Sequence, residues 1–168
     1  MMIRHLTEND DYAAVSDIYE QSWRYAYKGI IPQDYLDSIP LGRWINGINV
    51  NGRTDIGAFE DDRIVGTASF CTSRWKKFSE SGEIVSIYLL PEYIGRGIGA
   101  CLLKKCIEEL EWEGFRSVIL WVLEENVHAR HFYEKHGFTA TSEIVEDNIG
   151  GRELNEIMYI RRLKKTEL

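Results

Sequence analysis

Positive charge is what this chain is short of: 20 Lys and Arg stand against 27 Asp and Glu, a formal net charge of −7. That deficit argues against nucleic acid as a partner, because a phosphate backbone is held by basic patches that displace its counterions. It suits a cationic ligand through long-range steering, and it serves solubility equally well. Cysteine is scarce, with three residues, Cys71, Cys101 and Cys106, in an odd number and without metal-ligand spacing. Cys101 and Cys106 fall inside a helical pattern and are expected to pack as small apolar residues rather than act as a thiol nucleophile. No apolar run is long enough to cross a bilayer, and Met1-Met2-Ile3-Arg4-His5 lacks a signal-peptide core. A cytoplasmic protein with no membrane partner is therefore the expectation. Low-complexity segments, internal repeats and linkers are missing too, so 168 residues read as one domain over 1–168. The 44% hydrophobic and 28% charged fractions are ordinary for a globular chain.

Periodicity supplies the elements. Met2 to Leu6 alternates like a short strand, and Asp10 or Asp11 can cap a helix to about Tyr25, with Ala14, Ile18 and Trp23 on one face. Pro32 suits the first turn of a short helix holding Tyr35 and Leu36, and another short helix is expected over Leu41 to Ile48. Asp55 to Glu60 and Arg63 to Cys71 read as a hairpin turned by Asp61-Asp62, followed by a polar loop, Trp75 to Ser81, and a strand, Gly82 to Leu90. Gly97 to Glu113 is the clearest helix, with Leu102, Leu103, Cys106 and Leu110 on one face and Gly114 as its stop. Ser117 to Leu123 is nearly all apolar, as a central strand should be. Asn126 to His136 is helical and closed by Gly137, and Phe138 to Val145 and Leu154 to Ile160 are strands around the turn 148–151. The order describes an α/β mixed sheet: an antiparallel meander continuing into a right-handed βαβ crossover, with helices on both faces.

The most informative stretch is Tyr93-Ile94-Gly95-Arg96-Gly97-Ile98-Gly99-Ala100. Strand, glycine turn and helix follow in that order. Such a turn gathers unpaired N–H groups at a helix N-terminus, where phosphate or pyrophosphate is the natural occupant. Gly95-x-Gly97-x-x-Ala100 also fits the dinucleotide fingerprint, with Glu124 near the place of a ribose-binding acid. Against that stand the antiparallel strands before it and the spacer Pro91-Glu92-Tyr93-Ile94. A purely structural turn is the third reading. A second constellation, Asn126-x-x-Ala129-x-x-Phe132-Tyr133-x-x-x-Gly137-Phe138, puts Asn126 and Tyr133 two turns apart on one helix face with small Ala129 between. Taken singly, Asn126 could be an N-cap and Tyr133 a half-buried core aromatic.

Together these residues resemble the GNAT superfamily of N-acetyltransferases, most specifically from Glu83 to Phe138. Pro91-Glu92-Tyr93 leading into Gly95-Arg96-Gly97-Ile98-Gly99 is similar to the family's acetyl-CoA pyrophosphate loop, save that Ile94 stands where Arg or Gln is usual. The resemblance implies a sheet whose central strands splay, so that the pantetheine arm pairs with backbone of Ile87 and Leu89 and hydrogen-bonds Asn126. It places the pyrophosphate on Gly95 to Ala100, with Arg96 as a nearby cation. It implies direct attack of an amine on the thioester, Tyr133 protonating the departing sulfur and a strand amide near Ile87 meeting the oxyanion. Glu83 matches the place of a general base and could instead be a solvated strand-end acid, with Ser86 and Tyr88 as lesser relay members. The cysteines give no support to an acetyl-enzyme. His128, His131 and His136 share one helix without an acidic or thiol ligand at useful spacing, so no metal is expected.

The resemblance also assigns acceptor selection to the first helices and the last strand pair. Trp23, Tyr25, Tyr27 and Tyr35 around Ile30-Ile31-Pro32 could hold a cationic amine by cation–π contact, or serve as core or a homodimer surface. Tyr27-Lys28-Gly29-Ile30-Ile31-Pro32 is similar to a bacterial subgroup acting on small amines, polyamines among them. The implied activity is acetyl transfer from acetyl-CoA to a small-molecule primary amine. A protein N-terminus or lysine as acceptor, and a silent CoA-binding sensor, are the alternatives.

Overall fold

The computed structural model describes residues 1–163. Its strands are β1 (Met2–His5), β2 (Thr54–Glu60), β3 (Arg63–Thr72), β4 (Gly82–Leu89), β5 (Ser117–Leu123), β6 (Thr139–Ile149) and β7 (Arg152–Arg162). Its α-helices are α1 (Tyr12–Ala26), α2 (Gln33–Ser38), α3 (Ile98–Trp112) and α4 (Val127–Lys135). The seven strands form one sheet in the order β1-β2-β3-β4-β5-β7-β6. Among the strands of the described residues only β4 and β5 pair in parallel, bridged by α3 as a crossover; the other neighbours are antiparallel. One parallel pair in a mainly antiparallel sheet rules out the doubly wound dinucleotide fold.

Both faces are covered. Leu102, Leu103, Cys106 and Leu110 of α3 join Phe70, Ile84, Val118 and Tyr159 in the largest core, against which Phe132 and Tyr133 of α4 pack. On the opposite face Val15, Ile18 and Tyr19 of α1 meet Phe59, Ile64 and Leu90. A third cluster joins Leu36 of α2 to Leu123 and Leu154. Asp11 caps α1 by accepting from the amides of Ala13 and Ala14. Asp10 instead binds the Arg4 guanidinium and the Thr7 amide. The hairpin turns are built from left-handed pairs, Asp61-Asp62 at φ 47° and 66° and Gly150-Gly151 at φ 63° and 86°.

Two expectations are corrected. No α-helix forms over Leu41 to Ile48: the segment holds turns and one 3₁₀ turn, Ile45–Gly47. Gly42 at φ 75° and Asn49 at φ 54° take it out of helical geometry at both ends. Cys101 is exposed rather than packed. The buried stripe of α3 runs through Ile98, Leu102, Leu103, Cys106, Ile107 and Leu110, and position 101 falls off its edge.

Candidate active site

β4 and β5 pair only near their starts, Gly82 with Val118 and Glu83 with Ile119. Beyond that the strands part. A bulge in β4 shapes the opening: Ser69 faces Ser86 and Phe70 faces Ile84, so Val85 is left over. Its effect is to turn Ser86 and Tyr88 toward α1, where Tyr19 and Trp23 bond their hydroxyls, while Ile87 and Leu89 pack on the α3 face. The Leu90 amide donates to Val65. Antiparallel alternation therefore aims the backbone groups of Ile87 and Leu89 at the opening. Those of Leu89 are already engaged, since Ser22 Oγ donates to its carbonyl at 2.5 Å and accepts from its amide at 3.1 Å. Ile87 is left as the open position on this strand edge.

At the wide end lies the glycine turn. Gly95 and Gly97 have φ 81° and 82°, and a Cβ at either would meet no atom within 4 Å, so the space over the turn is open. α3 has no side-chain cap, and its first i→i−4 bond runs from the Cys101 amide to Gly97. The amides of Ile98, Gly99 and Ala100 are thus free of helix partners and point outward with the helix dipole behind them. Arg96 lies 4.8 Å from the centre of the Tyr93 ring, beside Arg63 at 5.9 Å. Half-buried Ile94 brings no polar group.

α4 borders the other side of the opening. Asn126 caps it, Oδ1 accepting from the Ala129 amide at 3.2 Å. That leaves the side-chain amide N–H groups of Asn126 for a ligand. Tyr133 packs between Phe132 and Phe138 with centroid separations of 5.2 and 5.9 Å. Burial, with Tyr88 and Cys106 adding to it, pushes its phenol above the ordinary tyrosine range. The group stays protonated at neutral pH and is a proton donor rather than a phenolate.

On the α1 face the opening leads into a cavity of about 280 Å³ whose walls include Trp23, Tyr27, Tyr88, Trp75, Trp121 and Glu156. Burial pushes Tyr27 up to about 12 and Tyr88 well above its usual value. The Trp75 and Trp121 rings lie 4.6 Å apart with their planes tilted by 36°, and Trp121 Nε1 is buried with no partner among the described residues. Glu83 also lines this cavity and is 1% exposed. It is buried and ion-paired rather than a solvated acid. Arg74 Nη2 donates to its Oε1 at 2.7 Å and the Arg74 amide to its Oε2 at 2.8 Å.

Of the aromatics expected around the acceptor, Trp23 and Tyr27 line the cavity. Tyr25 points to solvent at 58% exposure, and Tyr35 packs in the α2 cluster against the Gly150 turn. Glu124 accepts from Asn155, and His136 bonds the Phe132 carbonyl. Sequence reasoning missed Arg74, Trp75, Trp121 and Glu156. A signal existed for the last two: an aromatic in an otherwise aliphatic strand, and a carboxylate between the apolar positions of β7.

A sheet parted in the middle, with an anion cradle at the mouth of the parting, is the frame of an acetyltransferase. The comparisons with known proteins bear this out. The Acetyltransferase (GNAT) family model matches residues 12–138. The uncharacterised N-acetyltransferase YuaI of Bacillus subtilis is 32% identical over 152 residues, covering 88% of this chain and 86% of YuaI. The spermidine N(1)-acetyltransferase of Thermoplasma acidophilum is 26% identical over 164 residues, covering 89% of this chain and 92% of the relative. The crystal structure of the PaiA N-acetyltransferase of Thermoplasma acidophilum in complex with coenzyme A shares the fold at TM-score 0.74 and 22% identity, covering 97% of this chain and 100% of that one. The chain belongs to the GNAT family of acetyltransferases and is an acyltransferase.

Proposed function

We propose that this enzyme transfers the acetyl group of acetyl-CoA to a primary amine of a small molecule, a polyamine or related amine, by direct attack in a ternary complex. The reading is carried by the parting of β4 from β5 after their first paired positions, with open space at the glycine turn and an aromatic cavity lined by both strands. The coenzyme would lie from the bare amides of the glycine turn past Ile87 and Tyr133, with the acceptor in the aromatic cavity. The residues suit coenzyme A. The turn would take the pyrophosphate through the amides of Gly95 to Ala100, with Arg96 beside it. Ile87 would pair with the pantetheine arm, which Asn126 would also bond, and Leu89 could join only by sharing groups that now hold Ser22. The cavity of about 280 Å³ is the size of a small ligand. The spermidine acetyltransferase among the relatives supports the amine class.

The chemistry follows from placement. The Tyr133 hydroxyl, kept protonated by burial, gives its proton to the departing sulfur. The Ile87 amide would donate to the developing oxyanion. An alkyl ammonium near pKa ~10.4 costs roughly 4–5 kcal/mol to neutralise at pH 7, so a proton acceptor matters more than a donor. Glu83, expected in that role, could take a proton only by releasing Arg74. We assign it to holding Arg74 at the cavity wall.

The test is an amine panel scored by CoA release, with polyamines, aminoglycosides, amino acids and N-terminal peptides. Polyamines or related small amines are expected to be turned over. Activity confined to peptides would contradict the reading.

A further inference from the structure

Two carboxylates line the acceptor cavity, Glu83 and Glu156. Glu83 is taken: both its oxygens accept from Arg74. Glu156 makes no side-chain hydrogen bond or ion pair among the described residues. The register of the sheet explains why it faces the cavity. Glu156 lies opposite Leu123 of β5 and Val145 of β6, in one row across three strands. The next row on the same face holds Trp121 opposite Met158. Leu123 packs with Ile31 and Leu36, so this face is the one α1 and α2 cover. Beside Glu156 the cavity offers the rings of Trp23, Tyr27 and Trp121, and Trp121 brings an N–H with no partner. A free carboxylate among aromatic faces is the chemistry that receives an ammonium group carried on an apolar body.

Resting on the N-acetyltransferase reading above, we propose that Glu156 binds the acceptor's ammonium and takes its proton. The charged and titratable groups around it are Asp147 of β6, Arg74 after β3, Tyr88 and Glu83 of β4, and Tyr27 just after α1. Burial and Asp147 raise its proton affinity and Arg74 opposes them, which moves the carboxyl toward the work of a base. The ammonium gives one proton to Glu156 and becomes a nucleophile. Its nitrogen bonds the thioester carbon, the C–S bond breaks with its electron pair going to sulfur, and Tyr133 protonates the sulfur. The second nitrogen proton restores Tyr133 through water, and Glu156 releases its proton to solvent. The products are the amide, the CoA thiol and one proton.

Glu156→Gln keeps the shape and removes the charge. On the best amine of the panel it should lower kcat/KM by about 100-fold or more, leave acetyl-CoA affinity unchanged, and be partly rescued by Glu156→Asp. The loss should shrink for a weakly basic amine that is already neutral at pH 7, a response that a structural role would not give. A wild type active on the panel beside a Glu156→Gln variant within about tenfold of it would overturn the assignment while leaving the acetyltransferase reading standing. A loss equal for strongly and weakly basic amines would overturn it too.

Discussion

On the proposed mechanism Tyr133 and Glu156 would divide the proton traffic of this site, two groups that burial moves the same way for opposite uses. A buried phenol holds its proton until a sulfur needs it, and a buried carboxylate becomes readier to accept one. Tyr133→Phe should lower kcat by roughly 100-fold while CoA still binds, read by turnover and calorimetry; a silent CoA sensor would be indifferent. Away from the site, Arg4 holds the Asp10 carboxyl well below the usual carboxylate range, the Thr7 amide helping. A depressed folded pKa means that stabilisation is present above the unfolded value of ~3.9 and fades as pH falls through the folded one. Asp10→Asn should therefore cost about 1 kcal/mol at pH 7 in urea denaturation, and the difference from wild type should close on strong acidification. Features set by local spacing could be read from the sequence: the glycine turn at Gly95 and Gly97 and the helix carrying Asn126 and Tyr133 each sit in a run of under twenty positions. Glu156 and Trp121 stood out only as residue types in their strands, and their juxtaposition could not be read, because what places them beside each other is register across β5, β7 and β6.

The glycine turn and α3 act as a unit. Gly97 is the left-handed residue that starts the helix, and its neighbours' amides are aimed by that conformation. Gly97→Ala puts no atom in a clash, so its cost is the backbone alone, about 1–2 kcal/mol. If the chain relaxes the strain by turning the amides, CoA affinity should fall by about tenfold or more in calorimetry, with the fold retained. Strand β4 shows where element-level reading stops. Its apolar run and length were plain in the sequence, and the extra residue Val85 was not, although it decides that Ser86 and Tyr88 face α1. A bulge depends on the partner strand, and nothing in the run Ile84-Val85-Ser86-Ile87 marks it. The helix expected over Leu41 to Ile48 failed for a related reason: apolar spacing was present, but Gly42 and Asn49 took left-handed conformations.

The architecture as a whole was legible, because strand and helix periods alternate in an order with few ways to fold. The parting of β4 from β5 was not in the residues themselves; it came from the family resemblance and is present in the structure as two paired positions followed by none. That parting sets two expectations. Acetyl-CoA at about 100 times its Kd should stabilise the protein by about 2.7 kcal/mol, a rise in melting temperature of roughly 5–10 °C, and NADH should give none. With a net charge of −7, the KM for a cationic acceptor should rise with ionic strength in steady-state assays. The most direct measurement is a crystal structure of the protein with coenzyme A. It should show the diphosphate on the amides between Gly95 and Ala100, the arm against Ile87, and the sulfur beside the Tyr133 hydroxyl. A coenzyme bound elsewhere, or a sulfur that the Tyr133 hydroxyl does not reach, would contradict the account.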